Sequence, residues 1–170
     1  MSNVFILRFR DLITEEGGTI SDHQSLINKF GEVWWGWWMK QDEEPPIELF
    51  KSIADQIESV GTSDAFLFDS GLDRIYSVKI KKILVAPQKN KIGTPDPEVS
   101  PSYYHRGRYP AWFLLSSIKE VDFDTLKLRY ASFPTRPHYE QEFKNSINQR
   151  VHSLNELKEF NVTLWHVVLG

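Results

Sequence analysis

A chain of 170 residues with no cysteine and a net charge of −3 has no disulfide, no thiol nucleophile and no thiolate metal site, and it lacks the overall positive charge that coats polyanions indiscriminately. Its 41% hydrophobic and 25% charged content is that of a globular protein, and the length suits a single domain over 1–170. No apolar run approaches membrane-spanning length, and Met1-Ser2-Asn3 leads into a strand-like segment instead of a signal peptide, so a cytoplasmic protein without a membrane partner is expected.

Val4 to Phe9 reads as a first strand, apolar and β-prone, with Arg8 and Arg10 at its end. Ser21 with Gln24 three residues later reads as a capping box that opens a short helix through Leu26, Ile27 and Phe30, closed by Gly31. The segment Trp34-Trp35-Gly36-Trp37-Trp38 follows and holds four of the six tryptophans. Indoles at successive positions suit no helix face, whereas a strand sends them alternately to its two sides. One side then carries Val33, Trp35, Trp37 and Met39, a core face. The other carries Glu32, Trp34, Gly36, Trp38 and Lys40, where two indoles flank a bare backbone that suits a flat or cationic guest. A strand buried on both faces, or an aromatic patch covered by a neighbouring element, is the alternative.

Asp42-Glu43-Glu44-Pro45-Pro46 forms an acidic approach to the next helix, complementing the positive end of its dipole. Ile47, Phe50, Ile53, Ile57 and Val60 recur at helical spacing, and Gly61 ends the run. A short strand from Ala65 to Phe68 leads into the turn Asp69-Ser70-Gly71. In the next strand Tyr76, Val78 and Ile80 face in, while Ser77, Lys79 and Lys81 face out. Gln88 to Tyr109 is a long loop containing Pro95, Pro97 and Pro101, and loops of this length are usually functional or mobile. Tyr103, Tyr104, His105, Arg106, Arg108 and Tyr109 crowd its far end. Ala111 to Val121 is a long strand, Leu126 to Tyr130 another, and Val162 to Leu169 the last. Between these, His138 to Leu157 reads as a helix with Phe143, Ile147, Val151 and Leu154 on one stripe. Strands that do not alternate strictly with helices favour an α+β fold with a mixed, mostly antiparallel sheet, either strongly curved or closed into a small β-barrel, with flanking helices.

Charge is uneven. Lys79, Lys81, Lys82, Lys89, Lys91, Arg106 and Arg108 face only Asp96 and Glu98 between Tyr76 and Arg108, a basic sector in an acidic chain. Lys79 and Lys81 would stand roughly 6–7 Å apart on one strand face, near the spacing of phosphates in an extended strand. The five histidines have no metal-ligand spacing, no Gly-rich phosphate loop or nucleophile elbow is present, and no cofactor is called for.

In order and spacing, several pieces between Trp34 and Tyr130 resemble the EVE domain of the PUA-like group, to which YTH and ASCH domains also belong. They are the tryptophan–glycine segment before a helix, Phe66-Leu67-Phe68-Asp69-Ser70-Gly71, the strand from Ile75 to Ile83, Thr94-Pro95-Asp96-Pro97, and Ala111-Trp112-Phe113. The resemblance implies a small barrel with an aromatic pocket for one modified base of DNA or RNA, extruded from its strand. The residues expected to line it are Trp34, Gly36, Trp38, Asp69, Ser70 and Trp112, with Lys79, Lys81, Arg106 and Arg108 on the nucleic-acid backbone. The leading expectation is a non-catalytic reader of a modified base. The alternatives are a sensor for a free nucleotide or other planar ligand, placed beside an effector as in prokaryotic defence proteins, and an ASCH-like hydrolase of a modified nucleobase. The hydrolase would need a lysine and a carboxylate inside the pocket.

Overall fold

The computed structural model describes residues 3–87 and 90–170; Met1 and Ser2, and Gln88 with the basic-sector Lys89, lie outside the described residues. Seven strands form one sheet: β1 (Asn3–Phe9), β2 (Val33–Gly36), β3 (Ser63–Asp69), β4 (Arg74–Val85), β5 (Ala111–Val121), β6 (Leu128–Ser132) and β7 (Leu164–Leu169). Their order is β2-β5-β4-β3-β1-β7-β6. Only β1 and β3 pair in parallel, so the sheet is mixed and mostly antiparallel as expected. It is open, with β2 and β6 at its ends, so the curved sheet describes it and the closed barrel does not. Register shifts between β4 and β5 at Lys79/Ile80 and Ile80/Lys82 mark a bulged, bent pairing.

The central strands are buried on both sides because their alternate residues are apolar on both. Phe5 and Leu7 of β1, and Ala65 and Leu67 of β3, enter a first core under the helices α1 (Gly18–Phe30) and α2 (Ile47–Val60). Val4 and Ile6, with Phe66 and Phe68, enter a second core with Trp165 and Phe133. The expected helix α2 is present, with Phe50 and Ile53 as its buried anchors and Gly61 at its C-cap; Ile47 and Val60 stand exposed. No helix among the described residues is long and apolar enough to cross a membrane.

Three sequence expectations need correction. The tryptophan strand stops at Gly36, because its partner β5 begins at Ala111: the Trp37 amide donates to the Ala111 carbonyl, and Pro110 beyond it has no N–H to continue the ladder. Helix α1 starts three residues ahead of the Ser21–Gln24 box, which is not made. The Asp11 carboxylate accepts instead from the amides of Gly17 (2.8 Å) and Thr19 (3.1 Å), closing the helix start from the preceding loop. The third correction is the long helix over His138–Leu157. Only single turns form there, α3 (Tyr139–Glu142) and α4 (Leu154–Leu157), because Asn148 adopts a left-handed φ of 68° and the backbone from Asn148 to Val151 bonds to β6. Phe143, Ile147, Val151 and Leu154 still pack on the second core.

Candidate functional site

Where β1 and β3 end, four connecting segments and the tail of β2 line a cavity of about 450 Å³, within the roughly 300–1,000 Å³ of ligand sites. Phe9 packs against the first core and meets Trp35 edge-on at 5.1 Å, and Arg8 in the strand and Arg10 just past its end join it in the cavity lining. The loop after β1 contributes Leu12, Ile13 and Thr14, and the tail of β2 contributes Gly36, Trp37, Trp38 and Lys40. Ser70 enters from the turn after β3 and Thr163 from the approach to β7.

The remaining wall comes from the long loop, through Tyr103, Tyr104 and Tyr109. Tyr104 is the hub of an edge-to-face array, 4.9 Å from Tyr103, 5.3 Å from both Tyr109 and Trp112, and 5.5 Å from His23. Two glycines seat Tyr109. A Cβ at Gly36 would come within 2.8 Å of its Cδ2, and one at Gly107 within 2.7 Å of its Cε2. The gap foreseen at Gly36 is therefore filled by a ring, and that ring forms part of the cavity wall.

Behind the wall His23 is fully buried, its Nδ1–H donating to the Thr19 carbonyl at 2.8 Å. Burial pushes its pKa down to about 4, so the ring is neutral. The Tyr103 hydroxyl, driven well above its ordinary range by burial, lies near the Thr19 side chain without hydrogen-bond geometry to it. The cavity lining also carries cations. Arg8 has its proton affinity lowered by burial and by the charge of Arg10. Lys40 is lowered by burial and then by Arg8, with Glu43 acting the other way and Arg136 and Arg10 adding to the depression. Neither Arg8 nor Arg10 pairs with a carboxylate among the described residues, and Lys40 reaches only the Asn161 side-chain oxygen. The nearby carboxylates are committed. Asp11 holds the start of α1, while Glu43, which was expected to serve the α2 dipole, is buried and accepts from the hydroxyls of Thr135 and Thr163, each at 2.6 Å.

The Pua-like family model matches residues 5–169, from the first strand to the last. The chain belongs to the PUA-like family. No curated protein and no solved structure matches it.

Of the ligand residues expected from sequence, this PUA-like domain brings Gly36, Trp38 and Ser70 together at the cavity. Trp34 and Trp112 lie outside its lining, packed with Leu114 under Tyr104 in a small third cluster, so the face foreseen as open at Trp34 is covered by the long loop. Asp69 also lies behind the wall. Its Oδ1 accepts from the amides of Gly71 and Leu72, and burial raises its pKa despite those bonds. The four expected backbone cations are away from the cavity. Lys79 pairs with Asp64 and Lys81 with Glu32, each at 2.6 Å, while Arg108 donates to the Lys91 carbonyl and Arg106 is exposed. Arg8 and Arg10 are the site cations that sequence reasoning missed, while Lys40 was placed on the guest-facing side of the tryptophan segment without a binding role. The available signal was two arginines alternating out of an apolar strand. Of the Lys–carboxylate pair that a hydrolase would need, the described lining offers Lys40 and no carboxylate.

Proposed function

We propose that this PUA-like domain is a non-catalytic nucleic-acid-binding module of the EVE type, which seats one modified base of DNA or RNA in the aromatic cavity. The observation that carries this reading is the pairing, in one cavity, of stacking surfaces with arginines that no carboxylate of the described chain neutralises. A base taken from its stack loses a few kcal/mol, and each aromatic stack returns roughly 1–3 kcal/mol. Trp38, Tyr103 and Tyr109 supply such faces. Arg106 and Arg108, on the loop that carries the tyrosines, extend positive charge toward the flanking strand. Lys79 and Lys81 join by exchanging Asp64 and Glu32 for phosphates, a small loss because exposed ion pairs contribute about 0–1 kcal/mol.

Calorimetric titration against a panel of modified and unmodified oligonucleotides tests this. One modification should bind at least about tenfold tighter than its unmodified counterpart. Trp38→Ala and Gly36→Ala should each weaken it by about tenfold or more with the circular dichroism spectrum unchanged, the first by removing a stacking face and the second by displacing Tyr109. Equal, weak binding across the panel that is insensitive to both substitutions would sink the proposal.

A further inference from the structure

The cavity lining carries more positive charge than a base needs. A nucleobase is held by stacking and hydrogen bonds, and an internal phosphodiester beside it brings a single negative charge. Arg8, Arg10 and Lys40 all line the same cavity, whose described lining holds no carboxylate; neither arginine is in a salt bridge among the described residues, and Glu43, outside the lining, offsets only Lys40. Arg8 is half-buried, so solvent screens it less than a surface cation. The stem of Arg10 passes close to the Gly71 backbone, where a Cβ would stand 3.8 Å from its Cγ. Guanidinium groups grip phosphate through paired N–H donors, and a phosphate monoester near neutral pH carries about −1.5 to −2 charges.

We propose that the cavity accepts its base with a phosphate monoester attached, as a nucleoside monophosphate or the phosphorylated end of a strand, and that Arg8 and Arg10, aided by Lys40, bind that phosphate. This rests on the reading of the cavity as a base site. The make-up of the lining supports it: the tyrosines and Phe9 offer faces for the flat part of the ligand, and Arg8, Arg10 and Lys40 offer donors for its phosphate in the same cavity. The depression of Arg8 and Lys40 adds a second argument: burial lowers both and neighbouring cations lower them further, and a dianion among them removes that repulsion.

The test compares, by calorimetry on the whole chain, the best-binding oligonucleotide of the preceding panel with a 5′-phosphate, a 3′-phosphate or hydroxyl ends. The matching nucleoside, its 5′- and 3′-monophosphates and inorganic phosphate complete the set. One of the monophosphorylated ligands should bind about 10- to 100-fold tighter than its hydroxyl form. That advantage should shrink as pH falls through the second phosphate ionisation near about 6. Arg10→Gln, at an exposed position, and Arg8→Lys should each erase most of the advantage of the phosphorylated ligand over its hydroxyl form. A preference for the free monophosphate over the phosphorylated strand supports the proposal with a free nucleotide as source, and the reverse supports a strand end. Equal affinity of phosphorylated and hydroxyl forms overturns the inference and leaves the base site standing, as does an advantage that survives both arginine substitutions. Absence of binding by every base-containing probe overturns both.

Discussion

At the scale of single residues, His23 gives the clearest pH dependence. Its folded pKa of about 4 lies below the ordinary value of 6.5, so the unfolded chain takes up the proton first. The stability it contributes is fully present above pH 6.5 and drains away as pH falls toward 4. Between about pH 7.5 and about pH 5 this amounts to roughly 2 kcal/mol. His166, also depressed by burial, acts in the same direction. Urea unfolding at the two pH values should show the loss, and His23→Leu should remove most of it; an unchanged slope in the variant would assign the dependence elsewhere. Legibility at this scale divides cleanly between neighbours. Trp35 and Trp37 were assigned to the core correctly, Trp35 by alternation within β2 and Trp37 just past the end of the strand, where its amide still bonds to Ala111. The cover over Trp34 was not legible, because Tyr104 and Trp112 reach it from distant parts of the chain. Arg8 and Arg10 were visible as charges at a strand end, but only the return of the long loop makes that end a cavity.

At the scale of elements, helix α2 and strands β4 and β5 follow from periodicity, since each has a strong pattern in one local run. The segment from His138 to Leu157 carries an equally good helical stripe and is mostly not helical. Its apolar residues are used for burial on the second core, and hydrogen bonds from the neighbouring β6 backbone replace those a helix would make itself: Tyr130 donates to the Gln149 carbonyl and Val151 donates to the Leu128 carbonyl. Periodicity reports which side is buried, whereas the choice of hydrogen-bond partner depends on what else is within reach. Asn148 tests the difference. In a helix interior Asn148→Gly would be destabilising by propensity. At a φ of 68° glycine is at ease, so Asn148→Gly should leave the melting temperature unchanged or raised, while Asn148→Ala should cost about 1–2 kcal/mol. Calorimetric melts of the two variants decide the matter, and a glycine variant less stable than the alanine one would restore the helix.

For the whole molecule, the open sheet sits between two cores that share strands. Phe5 and Leu7 serve one and Val4 and Ile6 the other, so β1 cannot leave one core without leaving both. Unfolding should therefore be a single cooperative step. Phe133→Ala, in the second core, should destabilise by about 3–5 kcal/mol, and the far-UV and near-UV dichroism of the variant should still change together along the denaturant axis. Separate midpoints for the two signals would show cores that melt independently. The sharing of β1 between cores was legible in its uninterrupted apolar run, since a strand with one wet face would alternate. The openness of the sheet was not, because strand number and order do not by themselves determine whether the last strand finds the first.

The uneven burial of the tryptophans has an optical consequence. Trp38 is 60% exposed, whereas Trp34, Trp35, Trp37, Trp112 and Trp165 are each 6% exposed or less. A small ionic quencher such as iodide therefore reaches one indole in six, and that one lies on the cavity. Five sheltered emitters form a constant blue background, over which a single red-shifted fluorophore responds to whatever stacks on it. The native chain thus carries its own reporter: a ligand that occupies the aromatic end should abolish the quenchable fraction of the emission, and one that touches only surface lysines should leave it intact.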